Sequence, residues 1–178
     1  MRVLPDLFTA FRGLCGPLLL WGLLTQGMSM VWFWLFLFAV CTDLIDGWLA
    51  RRMGGGTEWG KWFDPLADKI LTAFTWLGLA LIGRSAWWLA VPFIIRDIIT
   101  GIVVHRASQQ GKALPTIRNG QIRAAFEGVA LCVLLFHGEW LDVHWKSVGH
   151  MIGLIAIGWS FPAIIRAAIA WQPAQETR

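Results

Sequence analysis

Six apolar stretches, at about 7–24, 30–49, 65–82, 86–104, 122–136 and 147–171, fill most of this 178-residue chain. Each approaches the roughly 20 residues a helix needs to cross a hydrocarbon core. With 57% hydrophobic residues and a mean hydropathy of +0.59, the chain is too apolar for one water-facing domain. Alternating strands on a ~10-residue scale are absent, which argues against a membrane barrel. The expected fold is all-α: an integral membrane protein with six transmembrane helices, the fifth the weakest. Residues 1–178 read as a single transmembrane domain, with no repeat, low-complexity tract or linker. The first apolar run follows Arg2 but lacks a small-residue cleavage site after it, so it reads as a retained helix.

Charge falls on alternate sides of these spans. Arg2, Arg51, Arg52, Lys61, Arg106, Lys112, Arg118, Arg123 and Arg178 occupy one set of ends and loops, and Arg84 and Lys146 the other. The positive-inside rule then puts both termini and the 51–64 and 105–121 loops in the cytoplasm. The formal net charge of +4 follows from that asymmetry. Anionic lipid headgroups account for it, and no nucleic-acid partner is expected. Cys15, Cys41 and Cys132 show no CxxC spacing and read as packing residues. Of the 13 tryptophans, Trp21, Trp87, Trp88, Trp140 and Trp145 gather near the expected outer membrane boundary and Trp48, Trp59, Trp62 and Trp171 near the inner one, where amphipathic indoles are favoured. His105, His137, His144 and His150 are dispersed near span ends and read as solvated.

Four carboxylates break the apolar pattern: Asp43, Asp46, Asp64 and Asp68. Ionised groups at membrane depth are costly and mark function. Residues three and four apart share a helix face, so Asp43, Asp46, Gly47, Ala50 and Arg51 form one stripe and Gly60, Asp64, Ala67 and Asp68 another. Facing each other, the stripes would gather four carboxylates that cannot all stay ionised unaided. Hard oxygen donors without His or Cys point to Mg²⁺, Mn²⁺ or Ca²⁺, and a pair of ions ~4 Å apart suits phosphoryl displacement. Gly47 and Ala50 leave room for a bulky ligand, and Arg51 offers a forked cation for phosphate oxygens. The Gly54, Gly55, Gly56 run fits no phosphate-loop pattern and reads first as a turn.

These residues spell DxxDGxxAR, eight residues, then GxxxDxxxD, which resembles the signature of the CDP-alcohol phosphotransferases (CDP-alcohol phosphatidyltransferases), membrane enzymes of phospholipid synthesis. The resemblance implies that an acceptor hydroxyl attacks the β-phosphorus of a CDP-linked lipid and CMP leaves. It further implies that Asp43, Asp46, Asp64 and Asp68 ligate two divalent cations, Mg²⁺ or Mn²⁺, with Asp68 also the general base. Thr9, Gly47, Ala50, Arg51, Thr57 and Gly60 would contact the CDP-lipid. The flanks LPDLFTAFR and FDPLADK are similar to those of phosphatidylglycerophosphate synthases. Asp6 stands where that pattern has Asn, and NGQIRAA where it has GKxKT.

The expected substrates are therefore CDP-diacylglycerol and a small alcohol, glycerol 3-phosphate first. Arg96, Arg118 and Arg123 are candidates for an acceptor-phosphate pocket, since arginine grips phosphate at least as well as lysine. Inositol phosphate, serine or another polar alcohol are the alternative acceptors, and a cation transporter the alternative class. Arg96 and Asp97 lie deep in the fourth span, which favours a functional role. Glu127 is expected to pair with Arg123 one turn away. Gly149, Gly153, Ala156 and Gly158 suggest close helix packing, with a homodimer contact as one reading. The expected location is the bacterial cytoplasmic membrane, with the active site facing the cytoplasm among membrane lipids.

Overall fold

In a computed structural model, the backbone is described for residues 3–52, 58–109, 118–136 and 144–170, and side chains for 7–42, 63–102, 122–136 and 144–159. Among these residues every regular element is helical: α1 (Val3–Gln26), α2 (Met30–Arg52), α3 (Glu58–Leu81), α4 (Trp87–Gln109), α5 (Arg118–Leu135) and α6 (Trp145–Ala170). The all-α expectation holds. Within them, Leu7–Gln26 is long and apolar enough to cross a bilayer, and Met30–Thr42 is a shorter apolar stretch.

The helices run beyond the apolar windows. α3 begins at Glu58, α4 continues to Gln109 and α5 starts at Arg118. Helix therefore covers 51–52, 58–64, 105–109 and 118–121 of the loops expected over 51–64 and 105–121; 53–57, with Gly54, Gly55 and Gly56, and 110–117 lie outside the described residues. An apolar window marks lipid-like composition, whereas Glu, Lys, Arg and Gln are themselves good helix formers and prolong a helix past its apolar part. Where the chain must turn tightly, glycine does it: Gly27 and Gly83 follow α1 and α3 with φ of +71°, a left-handed conformation that costs other residues steric strain. Ser29 Oγ then accepts from the Val31 N–H at 3.3 Å and starts α2.

α1 packs against α2 and α3, α3 also meets α4 and α5, and α5 lies along α6. Contacts of α2 with α5 and of α4 with α6 complete the bundle. Leu19, Phe36, Leu71, Trp76, Phe93 and Leu131 are buried at its centre. The spacing is set by small residues. A Cβ on Gly16 would stand 2.9 Å from the Ile70 carbonyl oxygen, and one on Gly13 3.7 Å from the Ala67 Cβ. In α6 a Cβ on Gly149 would meet Leu134 at 2.6 Å and one on Gly153 would meet Leu89 at 3.0 Å, and Ala156 is buried. The small-residue row weighed as a dimer face is thus used for packing within the chain at these three positions. Gly158 has nothing within 4 Å.

The outer surface is apolar. Ile95, Ile98, Ile99 and Ile102 are exposed in a row along α4, and Leu14 and Met151 are exposed at 71% and 66%. Contiguous apolar surface on this scale is unfavourable against water and favourable against lipid. We predict that Gly16→Ala lowers the unfolding temperature in detergent. The added methyl gains about 1 kcal/mol of helix propensity but meets backbone that cannot yield, at about 1–3 kcal/mol. An unchanged or raised transition would show that α1 and α3 do not approach this closely.

Candidate functional site

Asp64 and Asp68 stand one turn apart on α3, and Asp64 turns toward α1. Its Oδ1 accepts from Arg12 Nη1 at 3.0 Å and from Thr9 Oγ1 at 3.3 Å. Arg12 is completely buried and Thr9 nearly so, while the Asp64 side chain is 44% exposed. A guanidinium withdrawn from water needs a carboxylate partner. The glycine contacts of α1 bring the two within reach: Gly13 and Gly16 lie on the same stretch of helix as Arg12, and Ala67 is buried beside Gly13. Among the described residues, Asp64 Oδ2 takes no hydrogen bond, so one oxygen is held by α1 and the other stays open to a ligand. Asp68 is exposed, and its backbone carbonyl accepts from Thr72 Oγ1 at 3.1 Å.

An all-carboxylate donor set suits hard divalent cations, and Asp64 and Asp68 supply half of the expected set. Among the described residues no group of three His, Cys, Asp or Glu comes together. Asp43, Asp46, Gly47, Ala50 and Arg51 lie on α2, and Gly60 on α3, but their side-chain surroundings fall outside the described residues. Thr57 precedes α3 and lies outside them too. Thr9, expected beside the CDP-lipid, is placed next to Asp64.

A second polar cluster runs along the seam of α3, α4 and α5. Arg96 Nη1 donates to Asp97 at 2.7 Å, and Arg123 Nη2 approaches the same carboxylate at 3.8 Å. Arg123 Nη1 also donates to Glu127 Oε2 one turn along α5, as expected for that pair. The other Glu127 oxygen accepts from Trp76 Nε1 at 3.1 Å. Asp97 and Glu127 are buried. Lys69, next to Asp68 in sequence, joins this cluster. Its Nζ lies over α4, 3.2 Å from where a Cβ on Gly101 would be, within electrostatic reach of Asp97, Arg96, Asp68 and Arg123.

Counting formal charges, Arg96 and Arg123 are matched by Asp97 and Glu127, and Lys69 by Asp68. Among the described residues, the buried Nε atoms of Arg96 and Arg123 nonetheless lack hydrogen-bond partners. Unsatisfied buried guanidinium donors favour an anion. Arg118, expected in the same pocket, is the first residue of α5, and its side chain lies outside the described residues.

Sequence reasoning did not single out Arg12, Lys69 or Trp76 as site residues. Signals for each were present. Thr9 and Arg12 are three apart on the first helix and share a face, while Lys69 and Trp76 are seven apart on α3 and share another. Spacing alone does not say which helix a face meets.

Comparison with known proteins gives a consistent picture. The family model described as CDP-alcohol phosphatidyltransferase matches residues 2–163. A Pseudomonas fluorescens protein named CDP-diacylglycerol--glycerol-3-phosphate 3-phosphatidyltransferase is 31% identical over 176 residues, covering 93% of this chain and 89% of the relative. A Salmonella typhimurium protein of the same name is 28% identical over 173 residues, covering 93% and 94%. A "probable phosphatidylglycerophosphate synthase" of Mycobacterium tuberculosis is 38% identical over 94 residues, covering 53% of this chain. That match spans 41% of the mycobacterial protein, less than half its length.

The Arg12–Asp64 contact makes a stability prediction. Asp64→Ala removes a carboxylate partner from a buried guanidinium and is expected to cost about 1–3 kcal/mol. Thermal unfolding of the variant and the parent protein in the same detergent checks this; an unchanged transition would refute it.

Proposed function

The chain belongs to the CDP-alcohol phosphatidyltransferase family, and on that premise we propose that it transfers a phosphatidyl group from CDP-diacylglycerol to glycerol 3-phosphate, releasing CMP. Relatives matching across most of its length carry the name of that reaction. The observation that carries the choice of acceptor is the pair of buried arginines, Arg96 and Arg123, whose Nε donors lack hydrogen-bond partners among the described residues, beside Lys69, which adjoins Asp68. A phosphorylated alcohol would offer those donors phosphate oxygens; serine carries no phosphate, and inositol phosphate offers the same charged group on a bulkier alcohol.

In this reading Asp68 takes the proton of the acceptor hydroxyl as its oxygen bonds to the β-phosphorus. The bond from that phosphorus to the bridging oxygen breaks, and CMP departs with the electron pair. Arg12 and Thr9 hold Asp64 in place. Thr9, Gly47, Ala50, Arg51, Thr57 and Gly60 contact the CDP-lipid, and Arg96, Arg118 and Arg123 grip the acceptor phosphate. Two divalent cations, Mg²⁺ or Mn²⁺, held by Asp43, Asp46, Asp64 and Asp68 would neutralise charge on the pyrophosphate. Fixing both substrates beside one another supplies the rest of the acceleration by proximity.

The six helices would each span the bilayer with both termini in the cytoplasm, as the distribution of Lys and Arg favours. The site would open to the cytoplasmic face of a bacterial inner membrane. Any homodimer would have to use surface other than Gly149, Gly153 and Ala156, which pack against the chain's own helices. A cation transporter would have little use for unsatisfied buried arginine donors next to its carboxylates.

Purified protein with Mg²⁺ or Mn²⁺, CDP-diacylglycerol and glycerol 3-phosphate should release CMP, and EDTA should stop it until metal is restored. Asp68→Asn should lower kcat by at least about 10²-fold, and release that survives the change removes the base assignment. Arg96→Ala and Arg123→Ala should raise KM for glycerol 3-phosphate about tenfold with little change for CDP-diacylglycerol. Faster turnover of serine than of glycerol 3-phosphate would overturn the acceptor.

A further inference from the structure

Glu127 and Trp76 belong to no part of the transfer just described, yet they occupy the most enclosed end of the polar seam. Glu127 is 2% exposed and Trp76 fully buried. A buried carboxylate is costly unless both its oxygens are satisfied, and here each has one partner: Oε1 accepts from the Trp76 indole, Oε2 from Arg123. The indole is itself fixed. Trp76 stacks on Phe93 of α4 with ring centroids 4.7 Å apart and planes inclined by 11°, and Phe93 lies one turn before Asp97. The stack on Phe93 uses the face of the ring, and the N–H is directed to the carboxylate.

We propose that Trp76 and Glu127 are positioning residues for acceptor recognition: the indole N–H orients Glu127, and Glu127 orients the Arg123 guanidinium for the acceptor's anionic group. The inference rests on the acceptor pocket assigned above to Arg96 and Arg123. Arg123 is tied through Nη1 to Glu127 and through Nη2 to Asp97, while Nε has no hydrogen-bond partner among the described residues. Held at two corners, the planar fork keeps its remaining donor edge in one orientation, and that preorganisation reduces the ordering cost of binding. Freed from Glu127, the same cation would still attract a phosphate by charge but would no longer present a fixed edge.

The test is the split between the two Michaelis constants. Trp76→Phe, which keeps the ring stack and deletes the N–H, is expected to raise KM for glycerol 3-phosphate about five- to tenfold. KM for CDP-diacylglycerol and kcat at saturating acceptor should stay within about twofold. Glu127→Gln, which keeps an acceptor oxygen for the indole but weakens the tie to Arg123, should act in the same direction. Because both act through one arginine, the double variant should be no worse than the more impaired single variant. If Trp76→Phe does not fold, Glu127→Gln carries the test alone.

Arg123→Ala run alongside separates the two claims. A selective rise in acceptor KM for Arg123→Ala with none for Trp76→Phe or Glu127→Gln overturns the positioning role and leaves the pocket standing. No selective rise for Arg123→Ala overturns both. Equal rises for the two substrates, a loss of kcat alone, or additive effects in the double variant would reduce Trp76 and Glu127 to structural packing.

Discussion

A charge taken out of water has to find its counter-charge within the protein, and in this chain that requirement decides which helix faces meet. Arg12 is wholly buried in α1 and answers to Asp64 on α3. Because loss of this carboxylate costs the buried guanidinium about 1–3 kcal/mol, the pair favours one register of α1 on α3. The glycines at positions 13 and 16 allow the approach that the ion pair needs. The pairing and the glycine contacts together orient the second half of the aspartate motif relative to the first helix.

α3 is the element through which the two polar sites communicate. One part of it carries Asp64 and Asp68; Lys69 and Trp76 lie on a face that meets α4 and α5 and their arginines. A transfer reaction needs two substrates held side by side, and adjacent residues of a rigid helix do this more reliably than loops, since their relative positions do not fluctuate independently. Separation of roles follows from composition. The aspartate side is rich in oxygen donors and suits cations, whereas the α4–α5 side holds buried guanidinium donors without hydrogen-bond partners among the described residues and suits anions.

Much of the site was legible because its chemistry is local in sequence. The DxxDGxxAR and GxxxDxxxD spacings place their residues on helix faces whatever the rest of the chain does, and the Arg123–Glu127 pair follows from a separation of four. The depth of Arg96 and Asp97 in an apolar span favoured a functional role for them; the pairing of Asp97 with Arg96 and with Arg123 of α5 came only from the structure. The burial of Arg12 was not legible. Within ten residues of it the sequence holds no carboxylate but Asp6, and its partner lies 52 residues away. Nor did the apolar windows give the helix ends, because polar helix formers continue α3, α4 and α5 beyond the apolar stretch.

By itself the sequence determined an all-helical chain with apolar spans, the helix faces on which its aspartates lie, and a family of reactions. Those properties depend on periodicity, hydropathy and short-range spacing, which are fixed by neighbours along the chain. Only the tertiary structure decided that Arg12 faces Asp64, that Trp76 holds Glu127, and that Gly149 and Gly153 are used within the bundle. Each of these joins groups distant in sequence, and which faces meet is settled by steric fit and charge balance over the whole bundle rather than by any one segment.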